Sequence, residues 1–310
     1  MITRTPGRLR PRAQEFHRRG VVTTYRLHDR VLSNRRARRL YARNRPSLDA
    51  TQVRAVRELH EKGCSLLGFA DLFPDDVWQA VVGEGAEFVQ STERGLEGDG
   101  GELRRRAGKE FLVRKYDMGG VVALDNPWLL ASSSRRLLDI ANEYLQLWSK
   151  LEYVDVWYSL PVGADTERRA SQNWHRDYDD RHLLKAFLYL SDVDADSGPF
   201  EYVPGSQPGG AYAGVRPWQP MGFGRISEDE LASHVPADGV RTFTAPRGSL
   251  ILCNTSGLHR GGFAESRPRV LAAATYCSPA SLASLTERNY RLAPGSDTGS
   301  LDPVVRYALS

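Results

Sequence analysis

The spacing of apolar residues changes near residue 148, and this change limits the folds that the 310-residue chain can adopt. Up to that point apolar side chains recur at helical spacing, as at Leu137, Ile140 and Tyr144. Beyond it, short alternating segments are separated by Gly, Pro and Asp, which is typical of β-strands. Helices followed by many short strands predict an α+β, mainly β chain in which helices pack on a β-sandwich or barrel.

The same patterns predict where the individual elements lie. Six strands are predicted in the second half, at residues 153–160, 182–191, 200–203, 240–244, 249–253 and 269–276. In the first half we expect a helix that Ser47 caps and Gly63 ends. A second helix should start at Pro74, and one long helix should cover residues 127–148. A short helix is predicted near residues 33–43.

The composition is that of a soluble globular protein, with 41% hydrophobic and 26% charged residues. No apolar run approaches the roughly 20 residues that a membrane-spanning helix needs, and no secretory signal follows the basic amino terminus. Cys64, Cys253 and Cys277 are widely spaced and form no CxxC pair, which disfavours a disulfide framework or a zinc site. These features predict a cytoplasmic protein without a membrane span.

Charge is distributed unevenly along the chain. Residues 1–45 contain 14 arginines and only two acidic residues, Glu15 and Asp29, so their net charge is +12. The whole chain has a net charge of +4, so residues 46–310 carry a net charge of −8. We therefore divide the chain into a basic, arginine-rich extension at residues 1–46 and a single domain at residues 47–310. Such an extension can bind nucleic acid, an anionic membrane or a phosphorylated partner. Because its arginines are spread singly among polar residues, a solvated and partly ordered segment is favoured over nucleic-acid binding.

A metal-ligand pattern stands in the run SQNWHRDYDDRHLLK, where His175 and Asp177 are two positions apart and would share one face of an extended segment. A third donor, His259, follows an apolar run in GSLILCNTSGLHRGG. Two histidines and one carboxylate on one face of a metal leave three positions open, as in non-haem Fe(II) oxygenases. HxD alone is more often an ordinary hydrogen-bonded pair, and His182 is a nearby competitor as a ligand.

Three runs, WHRDYDD, LLKAFLYLSDVDADSGPFEYVPGS and GLHRGGFAESRPRVLAAATY, together resemble the phytanoyl-CoA dioxygenase (PhyH) family of Fe(II)/2-oxoglutarate-dependent oxygenases. The resemblance covers roughly residues 50–280. It implies a double-stranded β-helix (jelly-roll, cupin-like) core, flanked by helices from the amino-terminal half of the chain. The expected fold is thereby narrowed from a sandwich or barrel to this one architecture.

The resemblance also implies roles for individual residues. His175, Asp177 and His259 would bind Fe(II), and Arg269 would bind the C5 carboxylate of the co-substrate 2-oxoglutarate. Arginine suits that task because its planar fork of donors matches a carboxylate and its charge is permanent. Arg267, two residues earlier, is the alternative to Arg269.

The implied activity is that of an Fe(II)- and 2-oxoglutarate-dependent dioxygenase with O2 as its second co-substrate. We expect hydroxylation of an unactivated C–H bond of a small-molecule metabolite, with release of succinate and CO2. Asp177 is the carboxylate that related halogenases lack, so hydroxylation is favoured over halogenation. Desaturation, cyclisation and epimerisation stay open as alternatives, as does an inactive metal-binding jelly-roll module. The sequence indicates neither the substrate nor the oligomeric state.

Further residues are candidates for the pocket around this centre. Lys115 and Tyr158 lie on strands before the HxD motif and are candidate co-substrate contacts, with ordinary strand positions as the alternative. Residues 205–238 form a long connection rich in Gly and Pro, which favours a lid, with a surface loop as the alternative. The candidate substrate contacts from the motif and from this segment are Trp174, Asp179, Arg181, Trp218, Phe223 and Arg225.

Overall fold

The computed structural model describes residues 11–98, 105, 108–116, 119–220, 222, 225–281 and 290–310. The helices in these residues are α1 (Pro11–Arg30), α2 (Ser33–Arg43), α3 (Ala50–Lys62), α4 (Asp75–Leu96), α5 (Pro127–Ser133), α6 (Arg135–Leu145), α7 (Glu228–Ala232) and α8 (Pro303–Leu309). The strands are β1 (Cys64–Gly68), β2 (Leu112–Arg114), β3 (Gly120–Val122), β4 (Lys150–Ser159), β5 (Leu183–Tyr189), β6 (Phe200–Tyr202), β7 (Arg241–Phe243), β8 (Ser249–Cys253), β9 (His259–Arg260), β10 (Arg269–Cys277) and β11 (Tyr290–Leu292).

Two antiparallel sheets form the centre of the molecule. The larger sheet has the order β1-β8-β5-β10-β4-β2, and the smaller has the order β7-β6-β9. Backbone bridges from His175 to His259 and to Arg225 extend the smaller sheet beyond β9. From β4 onward the chain passes repeatedly between the two sheets, with β4, β5, β8 and β10 in the larger and β6, β7 and β9 in the smaller, which is the winding of a double-stranded β-helix. The predicted jelly-roll core is therefore present.

The two faces of the larger sheet bury different side chains. On β4, Val154, Val156 and Tyr158 join the large core under the helices. Tyr153 and Trp157, from the same strand, join the core between the two sheets, because neighbouring residues in a strand point to opposite faces. The face between the sheets, here called the barrel interior, is the one that can carry a site.

The amino-terminal helices pack on the domain, although the sequence led us to expect a solvated, partly ordered extension. Ala37 and Tyr41 of α2 are buried in the large core, and Tyr25 of α1 is buried as well. Ala37 and Tyr41 are four residues apart and therefore share one face of the helix, while arginines such as Arg39 and Arg43 are exposed. Because arginines surround these two apolar residues, the charge pattern did not indicate that α2 packs on the domain. The division of the chain at residue 46 stays a prediction.

Two helix boundaries differ from the predicted ones. Asp49, not Ser47, caps α3: its side chain accepts a hydrogen bond from the backbone N–H of Gln52, which completes a capping box. Gly63 ends that helix in the left-handed region at φ 77°, as predicted. The single helix expected over residues 127–148 is two helices, because Ser134 adopts an extended conformation with ψ 156° between α5 and α6.

The predicted strands agree with the structure more closely than the predicted helices do. β8 coincides with its predicted range of residues 249–253, and the predicted strand over residues 269–276 differs from β10 by one residue. Residues 205–238 contain α7, and the segment packs its own small core against Trp174. The three cysteines are buried and free. Within the described part of the chain, no helix combines the length and the apolar character that spanning a membrane requires.

Candidate active site

The backbone ladder between the HxD segment and β9 brings the three predicted ligands together. The backbone N–H of His175 donates to the carbonyl of His259 at 2.9 Å, and the N–H of His259 donates back to His175 at 3.0 Å. The N–H of Asp177 donates to the carbonyl of Thr255 at 2.8 Å. Residues 78 and 84 positions apart are thus paired across one short ladder, which fixes their side chains on a common side.

The donor atoms of these three side chains converge. Nε2 of His175 lies 3.8 Å from Oδ1 of Asp177, and Nε2 of His259 lies 3.7 Å from Oδ2. All three ligand atoms lie within 4.8 Å of one another. A divalent ion held at about 2.1 Å from each donor can span such separations. The cluster therefore has the composition and size of a facial metal site with open positions.

Both histidines are held in the form that binds a metal. Nδ1 of His175 lies 2.8 Å from the carbonyl of Asn173, and Nδ1 of His259 lies 3.0 Å from the carbonyl of Gly257. A carbonyl accepts only, so Nδ1 carries the proton and Nε2 presents a lone pair. Burial lowers the pKa of His175 and lowers that of His259 to about 3, which keeps both rings neutral. Neutral imidazole is the ligand form.

Lys185, on β5, reaches the same cluster and was not predicted from the sequence. Its Nζ donates to Oδ2 of Asp177 at 2.6 Å. Burial acts to raise the pKa of Asp177, but the Lys185 ammonium outweighs it and holds that pKa well below the ordinary carboxyl value. A lone cation in the apolar strand LLKAFLY was the signal that could have identified this residue.

Arg269 lies in the barrel interior, whereas Arg267 does not. Nη1 of Arg269 donates to the carbonyl of Gly198 at 2.6 Å, and Nη2 approaches Oγ of Ser159 at 3.4 Å. Its Nε is buried and has no hydrogen-bond partner within the described residues. Arg267 has a side chain that is 60% exposed and forms an ion pair with Asp194. The Arg269 guanidinium is buried, and it donates to neutral oxygens. Such a group can bind the carboxylate of a ligand.

Lys115 and Tyr158, the predicted co-substrate contacts, lie on the opposite face of the sheet. Nζ of Lys115 donates to Oε1 of Glu84 on α4 at 2.8 Å. The hydroxyl of Tyr158 donates to Oε1 of Glu93 at 3.4 Å, in the core under the helices. The sequence does not show to which face of the sheet Lys115 and Tyr158 point. Both faces of β4 carry apolar residues, so the alternation of side chains does not distinguish the barrel interior from the face under the helices.

Their neighbours, Arg114 and Trp157, occupy the barrel interior instead. The Arg114 guanidinium lies 5.4 Å from the Trp157 ring centre and 5.8 Å from the Tyr153 ring centre. An aromatic series continues from Trp157 through Phe187 and Phe200 to His259, with ring centres 5.2 to 5.8 Å apart. These rings form an apolar wall beside the three-ligand cluster.

Of the candidate substrate contacts, two lie against the cluster. The indole Nε1 of Trp218 donates to the backbone carbonyl of Asp177 at 2.7 Å. Asp179 is partly buried beside Asp177, and burial followed by that neighbouring carboxylate raises its pKa to about 6. Trp174 is buried in the small core of the 205–238 segment and donates to Glu228, so it packs away from the ligands.

The remaining candidates are farther from the ligand atoms. The side chain of Arg181 is 47% exposed and lies 3.9 Å from Asp29. Arg225 pairs with His175 through its backbone, while its side chain is exposed. Phe223 lies outside the described residues. His182, the competing ligand, directs Nε2 to Oδ1 of Asp29 at 2.9 Å and is therefore separate from the cluster.

A double-stranded β-helix whose interior presents two histidines, one carboxylate and a buried arginine defines the class of non-haem iron oxygenases. The chain belongs to the phytanoyl-CoA dioxygenase (PhyH) family, whose model matches residues 105–267. The protein is thus an enzyme of the oxygenase type that uses iron and 2-oxoglutarate.

Solved structures that resemble the chain include the following three. The epimerase SnoN, in complex with Fe3+, alpha ketoglutarate and nogalamycin RO, is 18% identical over 82% of this chain and 94% of its own, with a TM-score of 0.48. EctD from S. alaskensis, with 2-oxoglutarate and 5-hydroxyectoine, is 18% identical over 74% and 76%, with a TM-score of 0.49. AviO1 from Streptomyces viridochromogenes Tue57 is 18% identical over 76% and 98%, with a TM-score of 0.48. No curated protein sequence matches the chain significantly.

Proposed function

We propose that this enzyme hydroxylates an unactivated C–H bond of a small-molecule metabolite, using Fe(II), 2-oxoglutarate and O2. One observation carries the proposal: the three-ligand cluster and the buried Arg269 face the same barrel interior. The bound iron and co-substrate supply an oxidative decarboxylation that yields succinate and CO2 and the power to oxidise such a bond.

We assign the iron to His175, Asp177 and His259, because their neutral imidazoles and ionised carboxylate converge from three backbone-fixed positions. Three protein donors leave positions for the co-substrate and O2. Lys185 and Asp177 neutralise each other. Iron(II) and doubly ionised 2-oxoglutarate therefore bind together without adding net charge to a buried site, where uncompensated charge is costly.

We assign the distal carboxylate of 2-oxoglutarate to Arg269, with the hydroxyl of Ser159 beside it. Among the described residues the Nε of Arg269 has no hydrogen-bond partner, and its Nη atoms donate to neutral oxygens, which supports this choice over the exposed, already paired Arg267. Anchoring one end of the co-substrate orients its other end toward the metal. Trp157, Phe187 and Phe200 form an apolar wall that excludes water from the space between.

Binding of both cofactors is tested without knowledge of the substrate. Adding Fe(II) and 2-oxoglutarate to the protein under anaerobic conditions should produce the visible charge-transfer band of an iron-bound 2-oxo acid. A wild-type protein that binds neither, or that binds both without the band, would contradict the proposal. Once a substrate is found, product mass distinguishes the outcomes: hydroxylation adds one oxygen, desaturation and cyclisation remove two hydrogens, and epimerisation leaves the mass unchanged.

A further inference from the structure

Helix α1 is joined to the loop that follows Asp177 through one buried side chain. Tyr25 is only 2% exposed, although it lies in the arginine-rich segment. Its hydroxyl donates to Oδ1 of Asp180 at 2.6 Å and accepts from the backbone N–H of Arg181 at 3.0 Å. Burial, together with the adjacent Asp180, raises the pKa of Tyr25, so the hydroxyl keeps the proton that it donates. The loop three and four residues beyond Asp177 is thus fixed by a separate helix.

Asp180 connects Tyr25 to the larger sheet. It is fully buried, and its second oxygen, Oδ2, accepts from the backbone N–H of Ser278 at 2.7 Å, just past the end of β10. Oδ1 also accepts from the backbone N–H of His182 at 3.0 Å. The carboxylate therefore ties α1, the loop after Asp177 and the larger sheet at one point.

A second path runs from the same tyrosine to the metal ligand itself. The ring of Tyr25 packs against the ring of Trp218, with centres 5.3 Å apart. The indole of Trp218 donates to the backbone carbonyl of Asp177 at 2.7 Å. Both paths from Tyr25 therefore reach Asp177, one through the loop backbone and one through the 205–238 segment.

The register of α1 is set by a second polar contact one turn later. Oδ1 of Asp29 accepts from Nδ2 of Asn34 at 2.9 Å and lies 2.9 Å from Nε2 of His182. Nδ2 of Asn34 also lies 3.0 Å from Oγ of Ser278. Buried polar contacts of this kind are satisfied in one arrangement only, so α1 cannot slide without losing several of them.

We propose that helix α1 contributes to the active site through Tyr25, a positioning residue that holds Asp177 in the geometry that binds iron. The proposal rests on the assignment of Asp177 as an iron ligand. Residues 105–267, which match the family, do not include α1, so Tyr25 lies outside the family match, whereas its partners Asp180 and Trp218 lie within it. It gives the basic amino-terminal segment a role that its charge alone did not indicate.

The test compares two identical substitutions in the full-length protein. Tyr25→Phe removes the hydroxyl that bonds to Asp180 and Arg181 and keeps the ring on Trp218. Tyr41→Phe is the matched control, because Tyr41 lies on α2 and its hydroxyl donates to a carboxylate, Glu143, at 2.9 Å on α6. We expect Tyr25→Phe to weaken Fe(II) binding in the presence of 2-oxoglutarate about tenfold, the lower end of the loss that follows removal of a group supporting a metal ligand. Tyr41→Phe should leave it unchanged.

Trp218→Phe provides an independent variant on the second path, since it removes the bond to the Asp177 carbonyl and keeps an aromatic ring. It should weaken Fe(II) binding as well. In the double variant with Tyr25→Phe, the two losses should be less than additive, because both act on one ligand. Thermal unfolding of each variant separates this effect from a general loss of stability.

The outcomes are distinct. A titration of Tyr25→Phe that matches the wild type, or equal weakening by Tyr25→Phe and Tyr41→Phe, overturns the positioning role. Additive losses in the double variant overturn the shared path. Failure of the proposed function shows itself differently, because the wild-type protein would then lack the charge-transfer band altogether.

Discussion

The two faces of the larger sheet use polar groups in opposite ways. On the face under the helices, Glu84 accepts from Lys115, Tyr116 and Asn126 at 2.6 to 2.8 Å, so the cluster is closed on itself. In the barrel interior, the Arg269 Nε has no partner within the described residues, and the Nε2 atoms of His175 and His259 face the Asp177 carboxylate. Polar groups that have hydrogen-bond partners stabilise the fold, whereas buried polar groups that lack a partner can bind a ligand. The comparison separates residues that hold the fold from residues that we assign to chemistry.

The largest effect should come from removing an interior ligand. Asp177→Ala deletes one of three donors and also leaves Lys185 as an uncompensated cation beside the site. We expect Fe(II) affinity to fall by more than about 100-fold, beyond the loss that second-layer substitutions give, with the charge-transfer band abolished. His259→Ala should also abolish the band. Anaerobic titration measures both variants, with Asp238→Ala, an exposed carboxylate, as the control. Tight iron binding by Asp177→Ala would remove this residue from the ligand set.

A smaller and more selective effect is expected at the opposite end of the interior. Arg269→Gln should weaken 2-oxoglutarate binding about 30-fold or more, as the loss of one member of a buried charge pair does, while Fe(II) alone binds as before. Arg267→Gln should leave both affinities unchanged, because that side chain is exposed and pairs with Asp194. Calorimetric titration of the metal-loaded protein, with a redox-inert metal in place of iron, measures the difference. The reverse ranking would assign the co-substrate to Arg267.

The smallest effect on the site should come from the helix-facing cluster. Glu84→Gln should leave iron and 2-oxoglutarate binding unchanged and lower the free energy of unfolding at neutral pH by about 3 kcal/mol, as breaking a buried ion pair does. Denaturant unfolding, followed by tryptophan fluorescence, measures the change. Loss of the charge-transfer band in this variant would show that the two faces are not independent.

The pH dependence of the Glu84 contribution has a defined sign. Burial acts to raise the Glu84 pKa, but the bonds from Lys115, Tyr116 and Asn126 outweigh it and hold the pKa below its ordinary value of 4.5. A carboxyl whose pKa is lowered by folding stabilises the protein above the unfolded value, and this contribution is lost as the pH falls through the folded one. The difference in stability between the wild type and Glu84→Gln should therefore shrink below pH 4.5. A difference that grows in acid would contradict the assignment.

Part of the candidate site could be predicted from local sequence. His175 and Asp177 are two residues apart, so any extended backbone places them on one side. The apolar run before His259 marks a strand end, and the alternation of strands and turns predicts a sandwich or barrel, which the family resemblance narrows to a jelly-roll. The predicted strand at residues 249–253 matched β8 because all five of its residues are buried and the glycine before it ends the turn.

Other residues could not be placed in this way. Arg114 and Lys115 are adjacent cations at a short strand, and only pairing with β4 shows that Arg114 stacks in the interior while Lys115 meets Glu84. Tyr25 has no apolar pattern that distinguishes it among the surrounding arginines. Lys185 is visible as a charge in an apolar strand, but its partner lies eight residues back across a loop.

The sequence by itself predicted a mainly β fold, because periodicity is a local property of the chain, and it offered three candidate metal donors through short spacings and a family resemblance. The tertiary structure decided which arginine lies inside the barrel, which face of β4 meets the site and why Tyr25 of the amino-terminal helix is buried against the loop that follows Asp177. Those choices depend on strand register and on contacts between residues more than a hundred positions apart, such as Tyr25 with Asp180. No local pattern encodes such pairings, since they arise only when the sheets and helices pack together.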